Sequence, residues 1–278
     1  GGMFGMCLLL CILLAARDAL FLLLRLLWAL LRKAPFPFLF KAPPPFSAVQ
    51  WATGLLLLCA SLSAWGVWQA VRVPDVRTME IALPGLPSEL DGLTVAFVSD
   101  LHVSALLQQE RTEAIVKAVN ALDPDIIFIG GDLIDGSPKL RASAVAPLAE
   151  LRSRYGVYAC PGNHEYYSGY AEWMRSFAGL GITMLENSHK TIHPRGVPLV
   201  VAGTVDEAAL RFGLPMPSLA QAMNGAPDGA PRILLEHRPE NARKNAEAGI
   251  ALQLSGHTHG GQFFGLNLAV RHWNKGFL

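Results

Sequence analysis

The sequence predicts an α/β domain preceded by a membrane region. Three observations lead to this prediction: two long apolar segments at the beginning of the chain, short apolar runs that alternate with helical patterns from residue 93 onward, and polar residues that follow these runs. Fully apolar strands interleaved with helices are typical of a largely buried sheet. Because ligands bind beyond the carboxyl ends of strands in such sheets, we expect the functional site there.

Composition separates the two regions. The 278 residues are 51% hydrophobic and 16% charged, whereas a globular domain carries about 25% charge. The deficit is local, because residues 1–71 contain few charges and the rest resembles a soluble domain. The net charge of +1 gives no electrostatic case for nucleic acid as a partner. The four cysteines form no CxxC pair, which argues against a zinc ribbon or a redox pair.

The first apolar segment, at about residues 3–31, is long enough to cross a bilayer, which takes about 20 residues. Its charges are Arg17, Asp18 and Arg25. The heptad spacing of Asp18, Arg25 and Arg32 puts these three on one helix face. We expect a transmembrane helix with a polar stripe at its end; an amphipathic helix on the membrane surface is the alternative.

The second apolar segment, residues 48–71, contains no charged residue. Trp51 lies near one end, and Trp65 and Trp68 lie near the other, as expected for the two membrane interfaces. Ser47 is a suitable N-cap for a second transmembrane helix. A buried core helix is the alternative.

The segment between the two predicted helices sets the expected orientation. Arg32, Lys33 and Lys41 are its charged residues, and basic short loops stay in the cytoplasm. We therefore expect an integral membrane protein with a membrane region over residues 1–72. The domain at residues 73–278 is then extracytoplasmic.

From residue 93 onward, apolar runs alternate with helical patterns. Predicted strands lie at residues 94–99, 125–130, 155–159, 198–203, 232–236 and 250–254. Predicted helices lie at residues 109–121, 140–152, 170–178, 218–223 and 239–248, with Pro147 as a potential break in the second of these.

Five short blocks with metal-ligating side chains follow these strands. They are Ser99-Asp100-Leu101-His102, Gly130-Gly131-Asp132, Gly162-Asn163-His164-Glu165, Glu236-His237 and Gly256-His257-Thr258-His259-Gly260-Gly261. Each block alone is weak evidence for a metal site, since an Asp after a strand is often a helix cap. Together they supply carboxylate, amide and imidazole ligands, which suit Mn²⁺, Fe²⁺ or Zn²⁺. So many ligands suggest two ions, which together can clamp an in-line displacement at phosphorus.

In this order, the blocks resemble the calcineurin-like metallophosphoesterase signature D-x-H, G-D, G-N-H-E, H and G-H-x-H, and in particular its membrane-bound branch. The resemblance extends from Leu93 to Gln262. It implies an α/β/β/α sandwich, two divalent metal ions and hydrolysis of a phosphate ester by a metal-bridging hydroxide. The substrate would be a phosphodiester, a phosphomonoester or a lipid pyrophosphate.

The resemblance also assigns roles by motif position. The implied ligands are Asp100, His102 and His259 for the first ion, Asn163, His237 and His257 for the second, and Asp132 for both. His164 matches a histidine that is not a ligand and that contacts the phosphoryl oxygens or protonates the leaving group. Glu165 either orients a ligand or is a solvated loop carboxylate. For Asp135, a bond to a backbone amide is preferred over one to a ligand imidazole.

Two further expectations concern the substrate and the ends of the chain. Membrane anchoring suggests a lipid-linked phosphate, and residues 263–266 are a candidate apolar border of the site. Because relatives continue beyond the last block and have more helices before the first apolar segment, we expect a fragment at both ends, with the domain at residues 73–278 truncated at its C-terminus. A membrane scaffold or receptor that binds metal without catalysis is the competing function; the complete ligand set favours an enzyme.

Overall fold

The computed structural model describes residues 2–31, 47–261 and 266–277. The chain divides into two units, Gly1–Arg72 and Val73–Leu278.

The first unit contains two long helices, α1 (Gly2–Leu31) and α2 (Ala48–Val71). Ser47 caps α2 as predicted: its Oγ accepts from the backbone N–H of Gln50 at 3.2 Å, and the Gln50 side chain accepts from the Ser47 N–H at 2.8 Å. Within the described residues, one helical segment, Val49–Val71, is long and apolar enough to cross a membrane.

The predicted helix over residues 3–31 is present as α1, and its membrane crossing stays a prediction. In the middle of α1, Arg17 forms an ion pair with Asp18 at 2.7 Å. The orientation depends on the basic residues Arg32, Lys33 and Lys41, which lie outside the described residues.

The described part of the second unit forms two four-stranded sheets. The first is fully parallel, in the order β1 (Val95–Val98), β2 (Ile126–Ile129), β3 (Val157–Ala159) and β4 (Thr183–Met184). The second has the order β5 (Ser188–Ile192), β6 (Leu199–Gly203), β7 (Arg232–Leu235) and β8 (Leu252–Leu254), with only the β5–β6 pair antiparallel. All six predicted strands are therefore present, and β4 and β5 are additional.

Seven helices of this unit lie within the described residues. They are α3 (Gln109–Asn120), α4 (Pro138–Val145), α5 (Asn163–Tyr167), α6 (Tyr170–Gly179), α7 (Leu219–Ala222), α8 (Ala242–Glu247) and α9 (Leu266–Trp273). The helix predicted over residues 140–152 ends at Val145 and continues as a 3-10 turn, because Pro147 cannot donate an α-helical hydrogen bond.

Side chains alternate across the strands of the first sheet and fill two different cores. Ile127 and Ile129 point to one face, where they pack with Trp173 of α6 and other helical residues. Phe128 points to the opposite face and packs against Val201 of the second sheet. The two sheets thus lie face to face.

The outer face of the second sheet is covered as well. Ala202 of β6 and Leu234 of β7 pack against Ala222 of α7. The layers are helix, sheet, sheet and helix, as the resemblance implied. The apolar runs alone indicated one buried sheet, because Thr183–Met184 and the half-polar Ser188–Ile192 gave no strand signal.

Candidate metal centre

The loops after β1 and β2 bring the first two sequence blocks side by side. The backbone N–H of Asp100 donates to the carbonyl of Gly131 at 3.0 Å, and that of His102 donates to the carbonyl of Asp132 at 3.1 Å. These bonds continue the parallel pairing of the strands past the end of the sheet. The carboxylates of Asp100 and Asp132 are therefore positioned at one sheet edge.

A first group of ligand atoms comes from Asp100, His102 and His259. Nε2 of His259 lies 3.4 Å from Oδ1 of Asp100 and 3.2 Å from Nε2 of His102. Oδ1 of Asp100 and Nε2 of His102 are 4.0 Å apart. Three donor atoms at these separations can share one cation.

A second group comes from Asp132, His237 and His257. Nδ1 of His237 donates to the carbonyl of Gly130 at 2.7 Å, so Nε2 is the atom directed at Asp132. Nε2 of His237 lies 3.2 Å from Oδ2 of Asp132, and their side chains are 1% and 2% exposed. That distance is short, yet within the described residues Nε2 of His237 has no partner in hydrogen-bond geometry.

The charges of this second group favour a cation between the two side chains. Burial lowers the pKa of His237, but the adjacent Asp132 carboxylate outweighs it and raises the pKa to about 9. Burial raises the pKa of Asp132, but the His237 imidazole and the backbone N–H of His164 lower it to about 2. A proton or a metal ion is therefore stabilised at this position.

Asp132 lies between the two groups. Its Oδ2 is 3.8 Å from Nε2 of His102 and 3.9 Å from Nε2 of His164, in addition to its contact with His237. Asp132, His102 and His164 thus form a third group of atoms within ligand distance of one another. One carboxylate reaches both ligand groups.

His164 and Asp135 form a pair beside the centre. Nδ1 of His164 hydrogen-bonds to Oδ1 of Asp135, and Nδ1 of His102 lies 3.3 Å from the same oxygen. Asp135 therefore contacts two imidazoles. The sequence alone favours a bond to a backbone amide over this role. The hydrogen bond to Asp135 raises the pKa of His164 despite partial burial, and the pKa of Asp135 falls well below its usual range.

Glu165 is fully buried under the loop that carries Asp132. Its oxygens accept from three backbone N–H groups, those of Asp132 at 3.0 Å, Leu133 at 2.7 Å and Gly162 at 2.7 Å. It is therefore not a solvated loop carboxylate. Burial, reinforced by the nearby Asp132, raises the pKa of Glu165.

Two glycines let the ligand loops approach one another. A Cβ on Gly162 would collide with the Asp132 carboxylate, and a Cβ on Gly256 would collide with the side chains of Ser99 and Asp100. The backbone N–H of His257 donates to Oδ1 of Asp100 at 3.0 Å, which this close approach makes possible. Glycine therefore occupies these two positions because a larger side chain would clash with the ligand residues.

Several candidate ligands also adopt the left-handed backbone region, where Asp and His are enriched among non-glycine residues. Their φ angles are 55° for Asp100, 45° for His102, 52° for Asp132, 70° for His257 and 48° for His259.

Arg238 and Asp206 belong to the site but were not predicted from the sequence. Arg238 donates through Nη1 to Nε2 of His257 at 3.0 Å and through Nη2 to Oδ1 of Asn163 at 3.4 Å. Its Nε donates to Oδ2 of the buried Asp206 at 2.8 Å. Burial, followed by the positive charge of Arg238, lowers the pKa of His257 to about 4. Arg238 directly follows the predicted ligand His237, so its sequence position could have indicated that it belongs to the site. Asp206 lies in none of the five blocks, so its sequence position carries no such indication.

Three other aromatic or imidazole side chains, which are not among the predicted ligands, lie at or away from the edge of the centre. The ring of Tyr167 is 5.6 Å from that of His164 and is half exposed, whereas Tyr166 is buried. His189 donates to the carbonyl of Ala222, outside the centre. The apolar border predicted at residues 263–266 falls mostly outside the described residues.

The donor set suits divalent metal ions. A buried Nε2 without a hydrogen bond, at His237, faces a carboxylate, and further imidazoles surround it. The amide of Asn163 lies nearby, since Arg238 contacts both Asn163 and His257. Mixed oxygen and nitrogen donors of this kind are ligands of Mn²⁺, Fe²⁺ and Zn²⁺. The residues present therefore fit a metal centre.

The family model for calcineurin-like phosphoesterases matches residues 93–261, which include every residue of this centre. The chain is similar to a transmembrane protein with metallophosphoesterase domain from Danio rerio, with 36% identity over 230 residues. That alignment covers 80% of this chain and 53% of the relative. An uncharacterized metallophosphoesterase of Helicobacter pylori is 34% identical over 207 residues, which cover 74% of this chain and 54% of that protein.

Among solved structures, the chain resembles a 5'-nucleotidase precursor from Thermus thermophilus, with 15% identity and a TM-score of 0.41. That match covers 60% of this chain and 42% of the other. The chain spans about half the length of the curated relatives it matches. Because the family model matches more than half of the chain, including the whole candidate centre, the chain belongs to the calcineurin-like phosphoesterase family.

Proposed function

We propose that this chain hydrolyses a phosphate ester with the help of two divalent metal ions. The observation that carries the proposal is the position of Asp132. Its Oδ2 lies 3.2 Å from Nε2 of His237 in one ligand group and 3.8 Å from Nε2 of His102, which belongs to the other. A carboxylate shared in this way suits a pair of ions rather than a single one.

The proposed ligands follow the two groups. Asp100, His102 and His259 would hold the first ion, Asn163, His237 and His257 would hold the second, and Asp132 would contribute to both. When bound, the ions supply positive charge against the phosphoryl oxygens and lower the pKa of water, so that a hydroxide nucleophile is available near neutral pH.

His164 acts on the substrate in this proposal. Its Nδ1 is occupied by Asp135, which leaves Nε2 on the side of Asp132, 3.9 Å from Oδ2. From there Nε2 can donate to a phosphoryl oxygen or give a proton to the leaving oxygen. Asp135 holds the ring in the required orientation, as carboxylates do for catalytic imidazoles.

We also propose that the protein is anchored in a membrane. Relatives from Danio rerio and Bos taurus are named as transmembrane proteins, and the Val49–Val71 segment is long and apolar enough to span. The basic residues between the two apolar segments support an extracytoplasmic position for the catalytic domain, because basic short loops stay in the cytoplasm. Protease accessibility of the domain in intact, sealed cells tests this orientation; protection until the membrane is permeabilised contradicts it.

The activity is tested with the purified 278-residue chain in detergent, loaded separately with Mn²⁺, Fe²⁺ or Zn²⁺. Metal content is measured by mass spectrometry, and hydrolysis with an aryl phosphomonoester, an aryl phosphodiester and a lipid pyrophosphate. We expect two ions per chain and turnover of at least one class. Preference for the lipid substrate would support a lipid-linked ester. Bound metal without turnover of any ester would instead support the scaffold or receptor.

A further inference from the structure

Arg238 is held from one side by a buried carboxylate. Its Nε donates to Oδ2 of Asp206 at 2.8 Å, and its Nη2 donates to Oδ1 at 3.3 Å. The Asp206 side chain is 1% exposed, whereas that of Arg238 is 25% exposed. This two-point contact fixes the plane of the guanidinium, so its remaining donors have a defined direction.

Those remaining donors point at two candidate metal ligands. Nη1 of Arg238 lies 3.0 Å from Nε2 of His257, and Nη2 lies 3.4 Å from Oδ1 of Asn163. Since guanidinium nitrogens only donate, Nε2 of His257 is the acceptor and presents its lone pair to Arg238.

The same lone pair cannot serve a metal ion as well. Coordination of a metal through Nε2 of His257 would use that lone pair, and coordination through Nδ1 would leave a hydrogen on Nε2. Either mode removes the acceptor of Nη1. The guanidinium stays charged in a protein and remains tied to Asp206. The freed N–H of Nη1 then faces the second metal position without its protein acceptor, and an oxyanion bound there supplies one.

A ligand can reach Arg238 from solvent. Its side chain lines a cavity of about 350 Å³ together with His257, Thr258 and Trp273, among other described residues. The cavity therefore opens the guanidinium and His257 of the second ligand group to the same space.

We propose that Arg238, positioned by Asp206, binds a phosphoryl oxygen of the substrate beside the second metal position. The planar fork of arginine suits tetrahedral oxyanions, and one edge of it is already occupied by Asp206. This inference rests on the proposed function, and inorganic phosphate is the smallest ligand that presents the same oxygens.

Calorimetric titration of inorganic phosphate into the Mn²⁺-loaded 278-residue chain tests the inference. In Arg238→Gln, we expect about ten- to hundredfold weaker phosphate binding, since a charged hydrogen bond is lost, with unchanged manganese content. Arg238→Lys restores part of the affinity, because a lysine keeps the charge but not the fork. Arg243→Gln removes an exposed arginine of α8 and serves as the matched control.

Arg238→Gln leaves the buried Asp206 carboxylate without its arginine partner, which can destabilise the fold. A second variant therefore separates the loss of phosphate binding from a folding defect. The double variant Asp206→Asn/Arg238→Met removes both charges. The introduced asparagine would still cap the backbone N–H of Ala208, from which Oδ1 of Asp206 accepts at 2.8 Å. We expect the same loss of phosphate affinity in this variant. In Asp206→Asn alone, phosphate binding should weaken less.

Two outcomes overturn the inference: phosphate affinity equal to wild type in the Arg238 variants, or loss of a manganese ion in both Arg238→Gln and the double variant. The second outcome would make Arg238 part of the metal-binding structure. If wild type binds two ions and phosphate but hydrolyses no ester, the proposed function fails while the phosphate contact stands. If wild type hydrolyses an ester but the Arg238 variants bind phosphate as wild type does, the proposed function stands and the role of Arg238 is wrong.

Discussion

Nε2 of His237 lies 3.2 Å from Oδ2 of Asp132, and the two side chains are almost completely buried. A positive charge is required between them, because a buried carboxylate without a partner is strongly destabilising. Within the described residues, this pair is the part of the candidate centre that is best shielded from solvent.

Asp132→Asn should lose metal and activity together. The amide removes the negative charge that both ligand groups share, so we expect fewer than two ions per chain and at least about 100-fold slower ester hydrolysis. Metal analysis after gel filtration measures the first effect. Asp228→Asn, at an exposed position, is the control. Two retained ions in Asp132→Asn would contradict the shared role.

His164→Ala should separate catalysis from metal binding. If His164 donates to the substrate rather than holding a metal, the variant keeps both ions while kcat falls by about 10²- to 10⁴-fold. His193→Ala, which removes an exposed histidine, should behave as wild type. Loss of an ion in His164→Ala would make this residue a ligand, a possibility that its place in the third atom group raises.

Glu165→Gln should destabilise the fold. The carboxylate accepts from the backbone N–H groups of Asp132, Leu133 and Gly162, and a glutamine would direct its own N–H₂ group at one of them. We expect a loss of about 1 to 3 kcal/mol in the free energy of unfolding. Urea denaturation measures it, with the exposed Glu172→Gln as control. Equal stability of the two variants would show that these hydrogen bonds contribute little.

Gly162→Ala should impair the centre through the position of Asp132. The added Cβ would meet the Asp132 carboxylate and its backbone nitrogen, so the loop must shift. We expect weaker metal binding, measured by titration with Mn²⁺. Gly179→Ala, at the end of α6 with no atom near its Cβ position, should leave binding unchanged. Equal manganese affinity in the two variants would contradict this steric account.

The ligand blocks were readable from the sequence because each directly follows an apolar run. A strand buried on both faces leaves a continuous apolar signal, as in Ile126–Ile129, and the polar residue after it marks the sheet edge. The centre of the site therefore followed from local pattern and from the order of the blocks.

Other parts depend on contacts between residues far apart in the chain. Asp206 lies in an ordinary loop, and only folding brings it to Arg238. Asp135 reaches both His102 and His164 because two loops pack together, which its own neighbours in the sequence do not reveal. The strand Thr183–Met184 is two residues long, too short for any periodic pattern.

The left-handed backbone of the candidate ligands has a consequence for evolution. Each such residue costs roughly 1 to 3 kcal/mol relative to an unstrained one, and glycine would relieve most of it. A library of variants selected for heat resistance alone should accumulate glycine at Asp100, His102, Asp132, His257 and His259. The resulting proteins would be thermally more stable but unable to hold a metal.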